Sequence, residues 1–457
     1  MKRNIAMVIF TFIVSLSLGV AQEQPAPVSY DLPAVIARVL KANPTIHATE
    51  HGVGTAQAQV EEARTGLRPR IQGEAGYLQL DKDPSFSVQP FGTLVFGRTN
   101  NPWASVSMDW PIYNGDLSRG MIAASRQGVD AAWQGYARTR QEIVAEAATS
   151  YYQVLSAQRM VEVMKTQIVS LTEAVRVATG LHDQGMVAKL DVLRPSSDLA
   201  SAQTALIQAE NGSQLALANL KRLLNLPRTT VITVTPAAES GVANSAALPT
   251  GSDSITTATQ TALTQRPEMK QLQANLRAME AQRMIVRAGH QPELALHAQY
   301  DLERPTTYPE IGVWSVAVVL RQPLYDGGTA HAKLAEVNSQ RQELTDREEA
   351  LTQGIAMQVT DAVLNMQAAA AKVRSATQAN TTAEEAYRAA QMSYQNQVLP
   401  VIDLISAQTV RTNARVQLTL AEFDRQIAHI QYHLALGDAP DPAITSLENH
   451  ITQDAKL

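Results

Sequence analysis

Cysteine is absent from all 457 residues. No disulfide staples the fold, no thiolate holds a metal, and a cysteine-borne lipid anchor is not expected. Aromatic residues make up only 5% of the chain, too few for a bulky globular core. Alanine and glutamine instead fill long stretches that suit close helix–helix packing. Excess positive charge is missing as well. The formal charge is −5, without a basic block, and it becomes more acidic if Lys2 and Arg3 are removed, so nucleic acid is excluded as the expected partner. Nucleophile elbows, phosphate-cradling glycine loops and dinucleotide fingerprints do not occur, so no enzyme, and no cofactor, is expected. Beyond residue 20, no apolar run is long enough for a membrane-spanning helix, so a membrane role requires strands.

What is present begins with Met1-Lys2-Arg3 and an apolar run of 16 residues from Ile5 to Val20. That run is shorter than the roughly 17–25 residues a spanning helix needs. With small residues at Gly19 and Ala21, it reads as a secretory signal over 1–21, cut after Ala21. The mature chain is expected to leave the cytoplasm.

The rest is written twice. Trp110-Pro111-Ile112-Tyr113-Asn114-Gly115-Asp116 returns 212 residues later as Gln322-Pro323-Leu324-Tyr325-Asp326-Gly327-Gly328, and Leu190-Asp191-Val192-Leu193 returns at the same offset as Ile402-Asp403-Leu404-Ile405. Earlier in each half the offset is 223: Asn43-Pro44 matches Arg266-Pro267, and Pro69 through Tyr77 matches Pro292 through Tyr300. The first copy therefore holds 11 extra residues between Tyr77 and Trp110. A repeat this long is a whole structural unit rather than a solenoid module. The halves run 22–227 and 255–437, with a Thr/Ala/Ser/Gly/Pro-rich linker at 228–254 and a polar tail at 438–457.

Within each half the hydrophobic period changes in order. A short helix over Leu32–Leu40 leads to one that opens on Pro44, where a missing N–H costs nothing, and stops before Pro69. Period-2 alternation then predicts strands near 70–80, 103–113, 292–302 and 312–324. Val106, Met108 and Trp110 point one way in the first copy, and Val316, Val318 and Leu320 in the second, opposite polar positions such as Ser107, Asp109, Ser315 and Arg321. Each pair is a hairpin. The first has a long loop, Asp81–Pro102, carrying Phe86, Phe91 and Phe96; the second a short one, Glu303–Glu310. Proline is then absent from Asp116 to about Thr179 and from Thr329 to about Gln397. At 1.5 Å per residue, helices of about 65 residues approach 100 Å in length. Short breaks at Gly180–Ala188 and Asn396–Pro400 turn each into a return helix.

A hairpin with one apolar face either covers a soluble core or faces lipid with its polar face on a lumen. Ten-residue strands match the tilted span of a bilayer, and no other segment offers the sheets an apolar layer to cover. Four strands cannot close a barrel, and open edges cannot face lipid. Two chains would make eight strands with a filled interior, and three would make twelve with room for a channel.

This plan resembles the TolC-like outer membrane efflux proteins over nearly the whole mature chain. The resemblance rests on the doubled junctions Pro111–Gly115 and Pro323–Gly328, on Pro69 and Pro292, and on the return-helix starts Gly185–Leu193 and Val398–Gln408. It implies a mainly α fold with a small β part: a homotrimer with a twelve-stranded barrel in the outer membrane of a Gram-negative bacterium, above a long α-helical coiled-coil tunnel through the periplasm. It also implies a duct that serves an inner-membrane pump through a periplasmic adaptor at the helix tips. At the junctions, Asn114 and Asp326 are expected to cap the long helices, and Gly115, Gly327 and Gly328 to permit the turn.

The family narrows its periplasmic mouth with tip-to-tip hydrogen bonds and an acidic ring. By motif, Asp403 falls on the ring, Asp191 is its partner in the first repeat, and Tyr394 is placed to donate a hydrogen bond to Asp191. A second acid found one turn on in some members is Ser406 here, and a tip arginine is Leu399, which implies a differently latched gate. Helix capping alone also accounts for Asp191 and Asp403, since acids favour helix amino termini.

Two histidine pairs mimic metal sites. His47-Ala48-Thr49-Glu50-His51 fits H-x-x-E-H but lacks a peptidase unit around it, and the second copy holds Lys270, Gln273 and Ala274 at those places. His429 and His433 lie one turn apart. Both pairs are expected to be solvent-facing helix residues. The competing reading of the chain is a soluble periplasmic coiled-coil scaffold or adaptor, in which the apolar strand face would be buried. The cargo, whether drugs, metals, other small molecules or polypeptides, is not written in the chain.

Overall fold

The computed structural model describes residues 28–95, 99–236, 252–303, 311–396 and 398–438. The expected signal segment, Phe96, most of the 303–310 loop, part of the linker and the tail beyond Asp438 lie outside the described residues.

Each repeat opens with two helices. In the first they are α1 (Leu32–Ala42) and α2 (Pro44–Thr65). Asp31 caps α1 by accepting from the Ala34 N–H (2.9 Å), and Asn43 caps α2 by accepting from the Thr45 N–H (2.9 Å). Prolines occupy the first turn of both, where no N–H partner exists. Two of the elements that escaped the sequence reading are the strands at the lead and in the linker. Val28–Tyr30 forms β1, parallel to a strand in the linker, Ile232–Val234, so the lead and the start of the linker are clamped together. The strand pattern there is only three residues long, too short for a period to register.

The membrane-type strands are β2 (Arg70–Gln79) and β5 (Asn100–Asn114). The loop between them, expected only as long, carries its own hairpin, β3 (Ser85–Val88) and β4 (Gly92–Val95). Then come α3 (Leu117–Asp183), α4 (Lys189–Leu223) and β6, the linker strand Ile232–Val234. The second repeat follows as α5 (Ser252–Gln265), α6 (Pro267–Ala288), β7 (Glu293–Glu303), β8 (Ile311–Arg321), α7 (Thr329–Gln395) and α8 (Val401–Leu436). Both long helices have 67 residues, about 100 Å each.

The four long strands make one antiparallel sheet in the order β2-β5-β7-β8. Its registers confirm the duplication. Arg70 pairs with Asp109, and their counterparts at offsets 223 and 212, Glu293 and Arg321, pair in the second hairpin. Going across the sheet, Ser105 faces Glu74 on one side and Asp301 on the other. The first-repeat counterpart of Asp301 is Leu78, so each repeat advances the row by four residues.

The second strand of each copy ends differently. β8 stops at Arg321, short of the expected 324, because its partner strand begins at Glu293, opposite Arg321. β5 runs on to Asn114 against β7, but its register slips between Pro111 and Tyr113. Pro111 has no N–H to give an interior ladder, and a bulge is the usual accommodation.

Two equivalent cores lie where α1/α2 and α5/α6 meet the long helices. Val35, Val39, Ile46, Ala147, Tyr151 and Leu223 belong to the first; Ala258, Ala262, Met269, Val359, Val363 and Ala435, at offsets 223 and 212, belong to the second. Volumes trade places. Alanines replace the two valines of α1, while Val359 replaces Ala147 and Val363 replaces Tyr151. The Tyr151 hydroxyl, which donates to the Thr235 carbonyl at 2.7 Å, loses its counterpart. Each fully buried aliphatic side chain contributes about 1.5–3 kcal/mol.

The apolar face of the sheet is not covered. Val106, Trp110, Val316, Val318 and Leu320 are exposed, as are Ile71 and Trp314; Met108 is half-buried.

Candidate functional site: helix tips and strand-to-helix junctions

At the first junction Gly115 takes φ +64° and Asp116 φ +67° before α3 begins. The N-cap residue is Asp116, whose side chain makes no cap bond; Asn114, two residues before it, reaches into the first turn, its Oδ1 accepting from the Ser118 N–H at 3.2 Å and its Nδ2 donating to Ser118 Oγ at 2.6 Å. A Cβ on Gly115 would lie 2.7 Å from the Ala288 carbonyl oxygen and 2.8 Å from Gln291 Cβ, so this turn is pressed against the end of α6. At the second junction Gly327 (φ +68°) and Gly328 (φ +87°) carry the turn in open space. Asp326 accepts from the N–H groups of Gly328 (2.9 Å) and Ala330 (2.7 Å), with His290 at 3.3 Å. The Ala330 hydrogen bond above all holds its carboxyl below the usual carboxylate range. Pro323 lies past the strand end and perturbs no ladder. A further anchor, Trp110, donates its indole N–H to the Leu67 carbonyl at 3.2 Å, fixing the start of β2 to the end of β5.

The repeats are tied shut at the other end of their cores. Asn43 Nδ2 donates to the Leu223 carbonyl at 3.1 Å. Its counterpart Arg266 donates from Nε to the equivalent carbonyl, Ala435, at 2.8 Å, and from Nη1 to Gln358 (2.6 Å) and Glu268 (3.1 Å). Burial pulls the Arg266 guanidinium below its ordinary value.

The tips diverge where a gate is expected. After α3, Gly185 at φ +74° reverses the chain, with the Met186 N–H returning to the Leu181 carbonyl at 2.9 Å. Asp191 sits at the third position of α4 and accepts from the Ala188 N–H at 3.2 Å, while its own N–H donates to the Ala188 carbonyl at 2.9 Å. Asp191 is thus engaged as a reciprocal cap. Asp403 sits at the same position of α8 and donates its N–H to the Pro400 carbonyl at 3.2 Å. Proline has no N–H to return, so the exposed Asp403 carboxylate is spared that duty.

The expected Tyr394–Asp191 hydrogen bond is not formed within the chain. The Asp191 carboxylate is turned to its own helix start. The Tyr394 hydroxyl is buried at the other tip without a partner among the described residues, and burial raises its phenol. Sequence reasoning also passed over Pro195, buried inside α4, which denies the Asp191 carbonyl its usual i+4 partner. It also missed the rungs joining α7 to α8: Arg411 over the Tyr387 ring at 3.7 Å, Arg415 with Glu384, and Lys372 with Asp424 at 2.7 Å. Their first-repeat counterparts, among them Val175 with Leu199 and Thr172 with Gln203, cannot form them. Comparing the two copies across the helix pair was the signal available.

Of the histidines, His47 uses both ring nitrogens, one on the Lys41 carbonyl (2.9 Å) and one on Glu50 (3.3 Å), and the first of these above all raises its pKa. His51 is exposed. The rings of His429 and His433 touch at 4.5 Å, with the His433 Nδ1 3.8 Å from Asp438.

An exposed apolar sheet face, two long helical hairpins and doubled glycine junctions coincide with a known sequence family. The family described as Outer membrane efflux protein matches residues 35–226 and 258–438. The chain belongs to the outer membrane efflux protein family. It is 27% identical over 299 residues to Protein CyaE of Bordetella pertussis, a match spanning 63% of this chain and 59% of that protein. Among solved structures, the Campylobacter jejuni CmeC outer membrane channel aligns over 98% of this chain and 97% of its own (TM-score 0.75, 15% identity). The open-state Neisseria gonorrhoeae MtrE outer membrane channel aligns over 90% and 89% (TM-score 0.72, 18% identity). At these identities the structural likeness concerns the fold.

Proposed function

We propose that three copies of this outer membrane efflux family member close a twelve-stranded barrel in the outer membrane of a Gram-negative bacterium. Their long helices continue as a periplasmic tunnel, and the assembly is the passive exit duct of a tripartite efflux or secretion system. The observation that carries this reading is the sheet: its apolar face is exposed, and its edges, β2 and β8, are unpaired among the described residues. In hydrocarbon both features demand lipid on one side and further strands on either edge. In water, an exposed apolar patch of this extent would be a liability, which disfavours the soluble scaffold. Val106, Met108, Trp110, Val316, Val318 and Leu320 face lipid. A periplasmic adaptor docks at the tips and couples the duct to an inner-membrane pump, which supplies the energy. Opening is a change of coil packing at the tips, biased by the partner's preference for the open form. Asp403, three copies per trimer, lines the mouth; Asp191 holds its own helix start, and Tyr394 packs inside the α7/α8 tip. Membrane fractionation tests the reading. The protein is expected in the outer membrane fraction, extracted only by detergent, and conducting ions in planar bilayers; recovery as a soluble periplasmic protein would reject it.

A further inference from the structure

The duplication specifies more than a subunit count. The intrachain seam between the repeats, β5 against β7, has a defined register: Asp109 faces His297, Val106 faces Tyr300 and Met108 faces Ala298. If a ring closes on three copies, each β8 meets β2 of a neighbour, and those strands are the counterparts of β5 and β7 at offsets 212 and 223. Resting on the trimeric duct of the preceding subsection, we propose that the intersubunit seam repeats the intrachain register. Arg321 then lies opposite Glu74 of the partner subunit and forms an ion pair on the lumen side.

Three observations support that register over its neighbours. The side chains fit in kind. The Val106–Tyr300 pair recurs as Val318 opposite Tyr77 of the partner subunit, and Met108–Ala298 as Leu320 opposite Ala75 of the partner subunit. The acid–base pair Asp109–His297, whose side chains are in hydrogen-bond contact in the structure, recurs with acid and base exchanged. The polar-face pattern fits too. Val319 and Ala317 stand among polar lumen positions of the other strands, and this register sets Ala317 opposite Leu78 of the partner subunit, apolar against apolar. The faces also leave little choice. A shift of one residue turns lumen residues to lipid. A shift of two sets Arg321 against Gln72 of the partner subunit or Gly76 of the partner subunit, and the charge match is lost. Arg321 and Glu74 are both exposed in the single chain, where Arg321 stands 3.8 Å from Glu293.

The same substitution of one chain for another turns the α3–α6 packing into α7 against α2 of the partner subunit. That face of α7, over residues 331–350, is largely exposed in the single chain, whereas the equivalent face of α3 is mostly half-buried.

The absence of cysteine makes the test direct. Directly opposed residues of an antiparallel pair have Cα atoms about 4.5–5.5 Å apart, inside the disulfide range of about 4.4–6.8 Å; pairs offset by two residues fall outside it. The full-length protein is made as the double variants Glu74→Cys/Arg321→Cys, Gln72→Cys/Arg321→Cys and Gly76→Cys/Arg321→Cys, and oxidised in the outer membrane. A fourth variant, Asp109→Cys/His297→Cys, reports by its intrachain disulfide that the sheet has folded. On non-reducing gels after full denaturation, the first variant is expected to convert most monomer to covalent dimer and trimer, at least several-fold more than the offset pairs. Dominance of either offset pair would overturn the register while leaving the closed ring standing. A formed intrachain disulfide with no intersubunit product from any pair would overturn the ring, and the register with it.

Discussion

Replacing Gly115 and Gly327 with alanine, one at a time, separates two costs that glycine avoids at the junctions. Both positions hold φ near +65°, and an L-residue there loses roughly 1–2 kcal/mol. They differ in surroundings. The added methyl on Gly115 meets the Ala288 carbonyl oxygen at 2.7 Å and Gln291 Cβ at 2.8 Å, whereas on Gly327 it meets nothing within 4 Å. A backbone carbonyl cannot rotate away as a flexible side chain can, so α6 or the α3 start must move, at roughly 1–3 kcal/mol more. Gly115→Ala is therefore expected to cost about 2–5 kcal/mol and Gly327→Ala about 1–2 kcal/mol. The assay is denaturation of the purified protein in detergent, followed by circular dichroism at fixed protein concentration. Equal losses at the two sites would refute the packing argument, and no loss at Gly327 would refute the conformational one.

Three further outcomes follow from the geometry. Asp403→Ala should raise the closed-state leak of single channels in planar bilayers, whereas Asp191→Ala should chiefly destabilise the start of α4, by about 0.5–2 kcal/mol for a lost cap; an unchanged leak in Asp403→Ala would remove it from the gate. Because the Asp326 carboxyl is depressed in the folded state, its stabilising effect is in place above the unfolded value near ~3.9 and is lost as pH falls through the folded value. Acid unfolding below pH ~4 should therefore lose part of its steepness in Asp326→Asn, and an unchanged pH profile would refute the cap. Arg266→Ala should cost about 2–4 kcal/mol through buried acceptors left unpaired, and Arg266→Asn should recover part of it by reaching the Ala435 carbonyl as Asn43 reaches Leu223; equal losses in a denaturant titration would refute that equivalence.

Long-period features were legible in the chain. Periodicity marked every long strand and helix, and offsets read from short matching strings mapped Arg70–Asp109 onto Glu293–Arg321. Short elements were not legible. β1 and β6 are three residues each and exist because they pair with one another across roughly 200 residues of chain, and the β3–β4 hairpin sits in a loop whose copy has no equivalent length. The junction caps were visible because asparagine and aspartate bond locally. The tips were visible only in part. Pro400 alone tells Asp403 from Asp191, since it removes the N–H that Asp191 uses, and that difference was present in the sequence. The burial of the Tyr394 hydroxyl was not, because it depends on how α7 packs on α8.

The four-residue advance per repeat has a consequence for the width of the duct. In the proposed trimer, with the intrachain register repeated at each intersubunit seam, six such steps around twelve strands would make a shear of about 24 residues. With about 3.3 Å per residue along a strand and about 4.8 Å between strands, the strands then tilt by about 54° and the backbone ring has a radius of about 16 Å. Slipping each intersubunit seam by two residues toward a smaller shear would narrow that radius to about 13 Å. In that ring the bore would be counted out in residues, in steps of two, and a change of caliber in evolution or design would come from the register at a seam rather than from the side chains that line the lumen.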